Sequence, residues 1–174
     1  MAGNPIPSVL INAKIYDSGK ELMGVGNVEM PDFEYMTESV TGLGLAGEID
    51  MPVLGHFGSL TMSVAWNSVC EQAVSLLAPK THQLAIYGSV QNWATESGAF
   101  EPQGVKVVVH ATPKKSGVGK FEPGKKMEPS SEFELTYVKM SIGGEDILEI
   151  DKFNFLCRIN GKDYLADVRQ QLGM

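Results

Sequence analysis

Strict two-residue alternation of apolar and polar side chains, in short runs broken by glycine and proline, restricts this chain more than any other feature. From Ser59 to Trp66, Leu60, Met62, Val64 and Trp66 fall on one side, and Ser59, Thr61, Ser63 and Ala65 on the other. That is the period of a strand with one greasy face and one small, mostly polar face. Val105, Val107, Val109 and Ala111 repeat the pattern, and Phe133, Leu135 and Tyr137 alternate with Glu132, Glu134 and Thr136. The same reading predicts strands over 9–16, 22–29, 33–41, 47–54, 82–93 and 147–159. Asn160-Gly161 and Gly143-Gly144 mark tight hairpin turns; Asn-Gly suits a type I′ turn, which needs positive φ at two successive residues.

One segment reads as a helix. Ser68-Val69-Cys70-Glu71 has the form of a capping box, Val69, Ala73, Leu76 and Leu77 share a face, and Pro79 ends the run. A single short α-helix among about nine strands predicts a mainly β fold: two packed antiparallel sheets, as a β-sandwich or partial barrel, with the helix against one side.

The chain has 174 residues, 43% of them apolar, which supports one substantial core. We expect a single domain, 1–174, with an N-terminal arm (1–8), a glycine-rich loop (42–50) and a basic insert (113–130). No apolar run approaches the roughly 20 residues of a membrane helix, and the first residues lack the basic start and apolar stretch of a signal peptide. Folding in a cytoplasm without membrane insertion is therefore expected. Cys70 and Cys157 lie in apolar patterns far apart in sequence and read as two buried, reduced thiols.

The formal net charge is −7, whereas a protein that grips nucleic acid presents a basic face. The charge is segregated. Lys114, Lys115, Lys120, Lys125 and Lys126, against one acid, Glu122, give 114–126 a sum of +4 and leave −11 on the rest. This insert is either a solvated loop or a contact for an acidic surface, such as that of another copy.

Two segments imitate nucleotide-binding motifs. Gly42-Leu43-Gly44-Leu45-Ala46-Gly47 matches G-x-G-x-x-G, but alternation with Pro52 follows it in place of a helix. Gly119 to Lys126 is one residue short of a P-loop, and Pro129 interrupts the helix that would present the phosphate-binding amides. His56, His82 and His110 lack metal-ligand spacing, and no serine sits in a nucleophile elbow. We expect no cofactor, no metal and no enzymatic activity, with Asp151 and Asp163 as turn and edge residues.

The C-terminal region is the most distinctive. Leu148-Glu149-Ile150-Asp151-Lys152-Phe153-Asn154-Phe155 is followed by Ile159-Asn160-Gly161-Lys162-Asp163 and by Arg169-Gln170-Gln171-Leu172-Gly173-Met174. This resembles the end of the major tail tube protein of contractile-tailed phages, a family also used in phage-tail-like bacteriocins. The glycine-rich 42–47, the single helix and the long polar insert extend the resemblance from about Asn12 to the C-terminus. It implies a β-sandwich-like domain assembled as hexameric rings stacked into a hollow tube, in a virion tail built in the host bacterial cytoplasm. It also implies a sheath protein around the tube, with a tape-measure protein and DNA inside it. On this reading Ser59, Thr61 and Ser63, with Glu34 and Glu38, line the lumen and let DNA slide. Gly42, Leu43, Gly44, Leu45, Ala46, Gly47, Glu48, Ile49 and Asp50 form the ring-stacking contact. The five lysines of the insert meet the sheath or the next ring. A tube that conducts no genome, as in a bacteriocin, and a monomeric β-sandwich that binds a small ligand are the alternatives.

Overall fold

A computed structural model describes residues 5–174, in twelve strands and two short helices. The strands are β1 (Ile6–Asp17), β2 (Lys20–Glu21), β3 (Val25–Glu29), β4 (Tyr35–Val40), β5 (Ile49–Phe57), β6 (Thr61–Trp66), β7 (His82–Ala94), β8 (Ala99–Gly117), β9 (Ser130–Ile142), β10 (Glu145–Asp151), β11 (Leu156–Ile159) and β12 (Lys162–Asp163). The helices are α1 (Glu71–Ser75) and α2 (Ala166–Gln171). The fold is mainly β, as the alternation predicts.

All pairings are antiparallel and fall into two sheets. The large one runs β12-β11-β10-β9-β8-β7-β1-β2 and forks at β9. One edge of β9 is covered by β8, while its other edge pairs first with β6, Ser130 to Glu134, and then with β10, Tyr137 to Ile142. The fork folds the sheet over its own apolar side. Leu60, Met62, Val64 and Trp66 thereby meet Leu84, Val107, Val109, Phe133, Leu135, Val138 and Ile150 in one core.

A bulge makes the fork possible. Ala111 pairs with Leu135 and His110 with Tyr137, so Thr136 has no partner on β8. The extra residue switches the phase of β9. Phe133 and Leu135 are buried before it and Val138 after it, while Tyr137 turns away from the core, contrary to the unbroken alternation expected there. The two prolines inside β8 fall where that strand has one neighbour only. Pro102 lies beyond the end of the β9 ladder, and Pro113 beyond the end of the β7 ladder, so no central hydrogen bond is lost.

Other boundaries also move. The strand expected over 147–159 is two strands, because Asp151 closes a turn after β10. Its Oδ1 accepts from Phe153 N–H and Asn154 N–H, both at 3.0 Å, and its Oδ2 accepts from Asn154 Nδ2 at 2.6 Å. The two tight turns match their residues: Asn160 and Gly161 have φ of 49° and 79°, Gly143 and Gly144 of 60° and 89°. Of the expected arm 1–8, residues 1–4 lie outside the described residues, and Ile6 already pairs with Trp93 on β7. The irregular part of the insert narrows to 118–129, because β8 runs to Gly117 and β9 starts at Ser130.

The α1 capping box is replaced by a thiol cap. Cys70 is the N-cap, its Sγ accepting from Ala73 N–H at 3.4 Å, while the Ser68 hydroxyl points to Met127 Sδ instead. Cys70 is therefore half-buried rather than buried; Cys157 is buried, and both thiols are free. The second helix, α2, was not expected. It ends in a Schellman motif, with Gly173 at φ 75°, Gly173 N–H donating to Gln170 and Met174 N–H to Arg169.

Candidate functional site

The second sheet is a hairpin that stands apart. Among the described residues β4 and β5 pair only with each other. Its root is fixed by Gly58 N–H donating to the Glu34 carbonyl at 2.9 Å and by Phe57, buried against Phe33 and Tyr35. Beyond the root almost every residue is exposed. Register places Val40 opposite Ile49 and Glu38 opposite Met51, so Glu38 shares an apolar face with Val40, Ile49 and Met51. A free-standing two-stranded hairpin with this face uncovered is marginal in water.

The glycine-rich segment is the tip of this hairpin. Leu45 N–H donates to the Gly42 carbonyl at 3.2 Å, and the Ser39 hydroxyl donates to Glu48 at the neck. Leu43 is fully exposed at the apex, and Leu45 is partly exposed. A strand, β5, follows the G-x-G-x-x-G pattern.

The residues expected along a lumen are split. Thr61 and Ser63 lie on the face of β6 opposite the core. Ser59 and Thr61 are gathered into a network around Glu134 that sequence spacing did not reveal. Ser59 Oγ donates to Glu134 Oε2 at 2.5 Å, and Leu60 N–H to Oε1 at 3.2 Å. Lys114 Nζ donates to Ser59, Thr61 and Glu134 at 3.2–3.4 Å. From the other side Lys152 Nζ donates to Gly58 O at 2.8 Å and to Glu134 Oε1 at 3.4 Å. Burial pushes the Glu134 carboxyl up, but the bonds from Ser59, Lys152 and Leu60 outweigh it and hold the group below its usual value. Glu34 lies at the hairpin root, just before β4, and Glu38 on β4, in a different sheet from Thr61 and Ser63 of β6, which Ser59 precedes.

The five lysines also part company. Lys114 belongs to the Glu134 network, and Lys125 pairs with Glu122 at 2.6 Å. Lys120 and Lys126 stand on the 118–129 loop and Lys115 at its foot, all exposed. Beside them Phe121 and Val118 are also exposed.

A second cluster fixes the C-terminal end. Arg169 Nη2 donates to Asp163 Oδ2 at 2.5 Å and Nη1 to the Phe155 carbonyl at 2.8 Å. The Arg169 bond, with Leu165 N–H, holds the Asp163 carboxyl below its usual value. On the neighbouring strands Glu149 accepts from Tyr137 and Arg158, and burial followed by the Glu149 bond pushes the Tyr137 phenol up to about 12. These groups tie strands and turns together. No group of three His, Cys, Asp or Glu is arranged to hold a metal among the described residues, and no helix there is long and apolar enough to cross a membrane.

Among the described residues, two strand edges lack partners over most of their length. The outer edge of β1 pairs at Tyr16 and Asp17, and the Ile15 carbonyl accepts from Leu22 N–H at 2.8 Å, leaving Ile6–Lys14 open, and among the described residues β3 pairs only with β6. Between them lies a groove of about 700 Å³ that includes Leu10, Val28, Ile86, Val90, Val107 and Met140.

The profile of the family described as phage tail tube protein FII matches residues 7–173. The chain belongs to that family. It is 24% identical over 176 residues to the tail tube protein of Escherichia phage P2, covering 97% of this chain and 99% of the other. Its fold is similar to two solved chains of an extracellular contractile injection system in the extended state. One, from the PVC sheath/tube terminator, has a TM-score of 0.53 and 12% identity, over 81% of this chain and 99% of the other. The second, from the PVC sheath-tube complex, has a TM-score of 0.53 and 16% identity, over 80% and 93%.

Proposed function

We propose that the protein is a structural subunit of a contractile tail tube, assembled as stacked hexameric rings in a virion tail, with no catalytic role. The observation that carries this reading is the β4–β5 hairpin, an apolar two-stranded arm that its own domain holds only at the root, in a chain of the tail tube family. Such an arm is stable when a neighbouring copy covers it. The open edges of β1 and β3 make the same demand, because unpaired backbone groups that strands of adjacent copies complete into a closed barrel cease to be an aggregation hazard. The tip, Gly42 to Asp50, is then the ring-to-ring contact.

In this reading Ser59, Thr61 and Ser63, with Glu34 and Glu38, face the bore. Lys114 and Lys152 both engage Glu134, and Glu132 lies in register with Ser63 beside them, so the surface offers DNA no basic track, and a genome slides past a tape-measure protein's former path without being gripped. A sheath protein covers the outside, and assembly takes place in the bacterial cytoplasm. Negative-stain electron microscopy of the purified chain at high concentration tests the reading. Rings and hollow tubes are expected. A strictly monodisperse monomer, with or without other tail components, would overturn it.

A further inference from the structure

The hairpin tip and the loop between β8 and β9 are opposite in charge, both carry exposed apolar groups, and both are rooted on β6 at opposite ends. Gly58 N–H holds the Glu34 carbonyl just before the strand, and Trp66 N–H donates to the Pro129 carbonyl at its end, at 2.8 Å. Eight residues separate the two anchors, roughly 25 Å of extended chain. Residues 31–57 contain Asp32, Glu34, Glu38, Glu48 and Asp50 and no Lys or Arg. The loop offers Lys120 and Lys126, with Lys115 at one foot and Glu128 at the other; none of the three lysines has an ion-pair partner among the described residues, whereas Lys125 has Glu122. Phe121 is 83% exposed and Leu43 fully so.

The loop is a built surface. Lys120 N–H donates to the Met127 carbonyl at 2.8 Å. Gly119 sits at φ 80°, where a Cβ would come within 2.0 Å of that same carbonyl oxygen. Only glycine closes the loop this way, and a loop already closed loses little entropy when a partner arrives.

We infer that the hairpin tip of one copy docks on loop 118–129 of a second copy, setting Leu43 and Leu45 against Phe121 and Val118 and turning Glu48 and Asp50, which share a face of the hairpin, toward Lys115, Lys120 and Lys126. The inference rests on the reading of the hairpin as the stacking arm and names its receptor. A contact between two different patches is head-to-tail, so each added copy presents a fresh receptor and the stack continues. Charge segregation, +4 in 114–126 against −11 elsewhere, steers the acidic tip to this basic loop.

A charge-swap experiment on the full chain tests it, read as sedimentable polymer and as tubes by electron microscopy, with circular dichroism and melting as controls for folding. Lys115→Glu with Lys120→Glu and Lys126→Glu lowers tube mass about tenfold or more, since like charges then face each other. Glu48→Lys with Asp50→Lys does the same. The chain carrying both sets regains tubes. Reversed variants that lose tubes without regaining them in combination would overturn the pairing. Intact tubes from the lysine reversal, while Leu43→Asp with Leu45→Asp stops growth, would place the receptor elsewhere and leave the stacking reading standing. Tubes from every variant would remove both.

Discussion

Glu134 shows what a single residue does that alternation alone does not disclose. In sequence it is one acid on the polar side of a strand. In the fold it joins the segment just before β6, through Ser59 and Leu60, to Lys114 of β8 and to Lys152 after β10. The partners are 18 to 75 positions away, so only the forked sheet reveals them. Asp151 was more legible: an Asp followed three residues later by Asn is the chemistry of a side-chain-closed turn, and the structure closes that turn inside the very motif that resembles the tail tube family. The Glu134 network makes a pH prediction. Its carboxyl is held below the usual 4.5, so below that value the unfolded chain takes up protons more readily than the folded one. The stabilisation is complete above 4.5 and is lost as pH falls through the depressed folded value. Glu134→Gln therefore lowers Tm at about pH 7, and its difference from the native protein shrinks toward about pH 3. Scanning calorimetry across that range checks it; parallel Tm profiles would show that the network carries no such linkage.

Among the elements, the long strands were legible because their faces differ: β6, β7 and β8 bury one face, and periodicity reports it directly. Elements whose shape depends on one irregular residue were not. Thr136 is an ordinary strand residue by composition, yet its bulge redirects β9, because the apolar groups that need burying lie at Leu135 and Val138 with an odd spacing of three. That spacing was the available signal. The helix α2 has six residues and no side-chain cap, too short for periodicity to register; the Gly173 Schellman turn was its one clue. The two strands of the β4–β5 hairpin were found by alternation, though their pairing was not, and alternation cannot tell a strand buried by its own domain from one awaiting another copy. That difference gives the prediction at this scale. Leu43→Asp with Leu45→Asp touches exposed side chains, so the monomer's stability changes by within ~0.5 kcal/mol. Tube growth is nevertheless abolished, as microscopy and sedimentation of the purified variant will record. A folded variant that still makes normal tubes would remove the tip from the ring-to-ring contact.

At the scale of the whole molecule, the domain divides its apolar surface between two uses. One part forms the core around Trp66, Phe133 and Leu135, closed within one chain. The other part remains open: the groove beside β1 and β3, the hairpin face at Val40, Ile49 and Met51, and the tip. Covering the second part removes apolar area from water at about 25 cal/mol per Å², and pairing the open edges satisfies backbone groups that water otherwise serves. Both gains exist in the polymer and not in the separate subunit, so assembly acts on folding as a bound ligand does. The tube therefore melts at a higher temperature than the unassembled subunit. The subunit's melting shows little dependence on concentration until polymer forms, after which a second, higher transition appears. The tip variant, which stays unassembled, keeps only the lower one. Calorimetry on fractions separated by sedimentation measures this directly, and a single shared transition for tube and subunit would mean that the open surfaces are not what assembly buries.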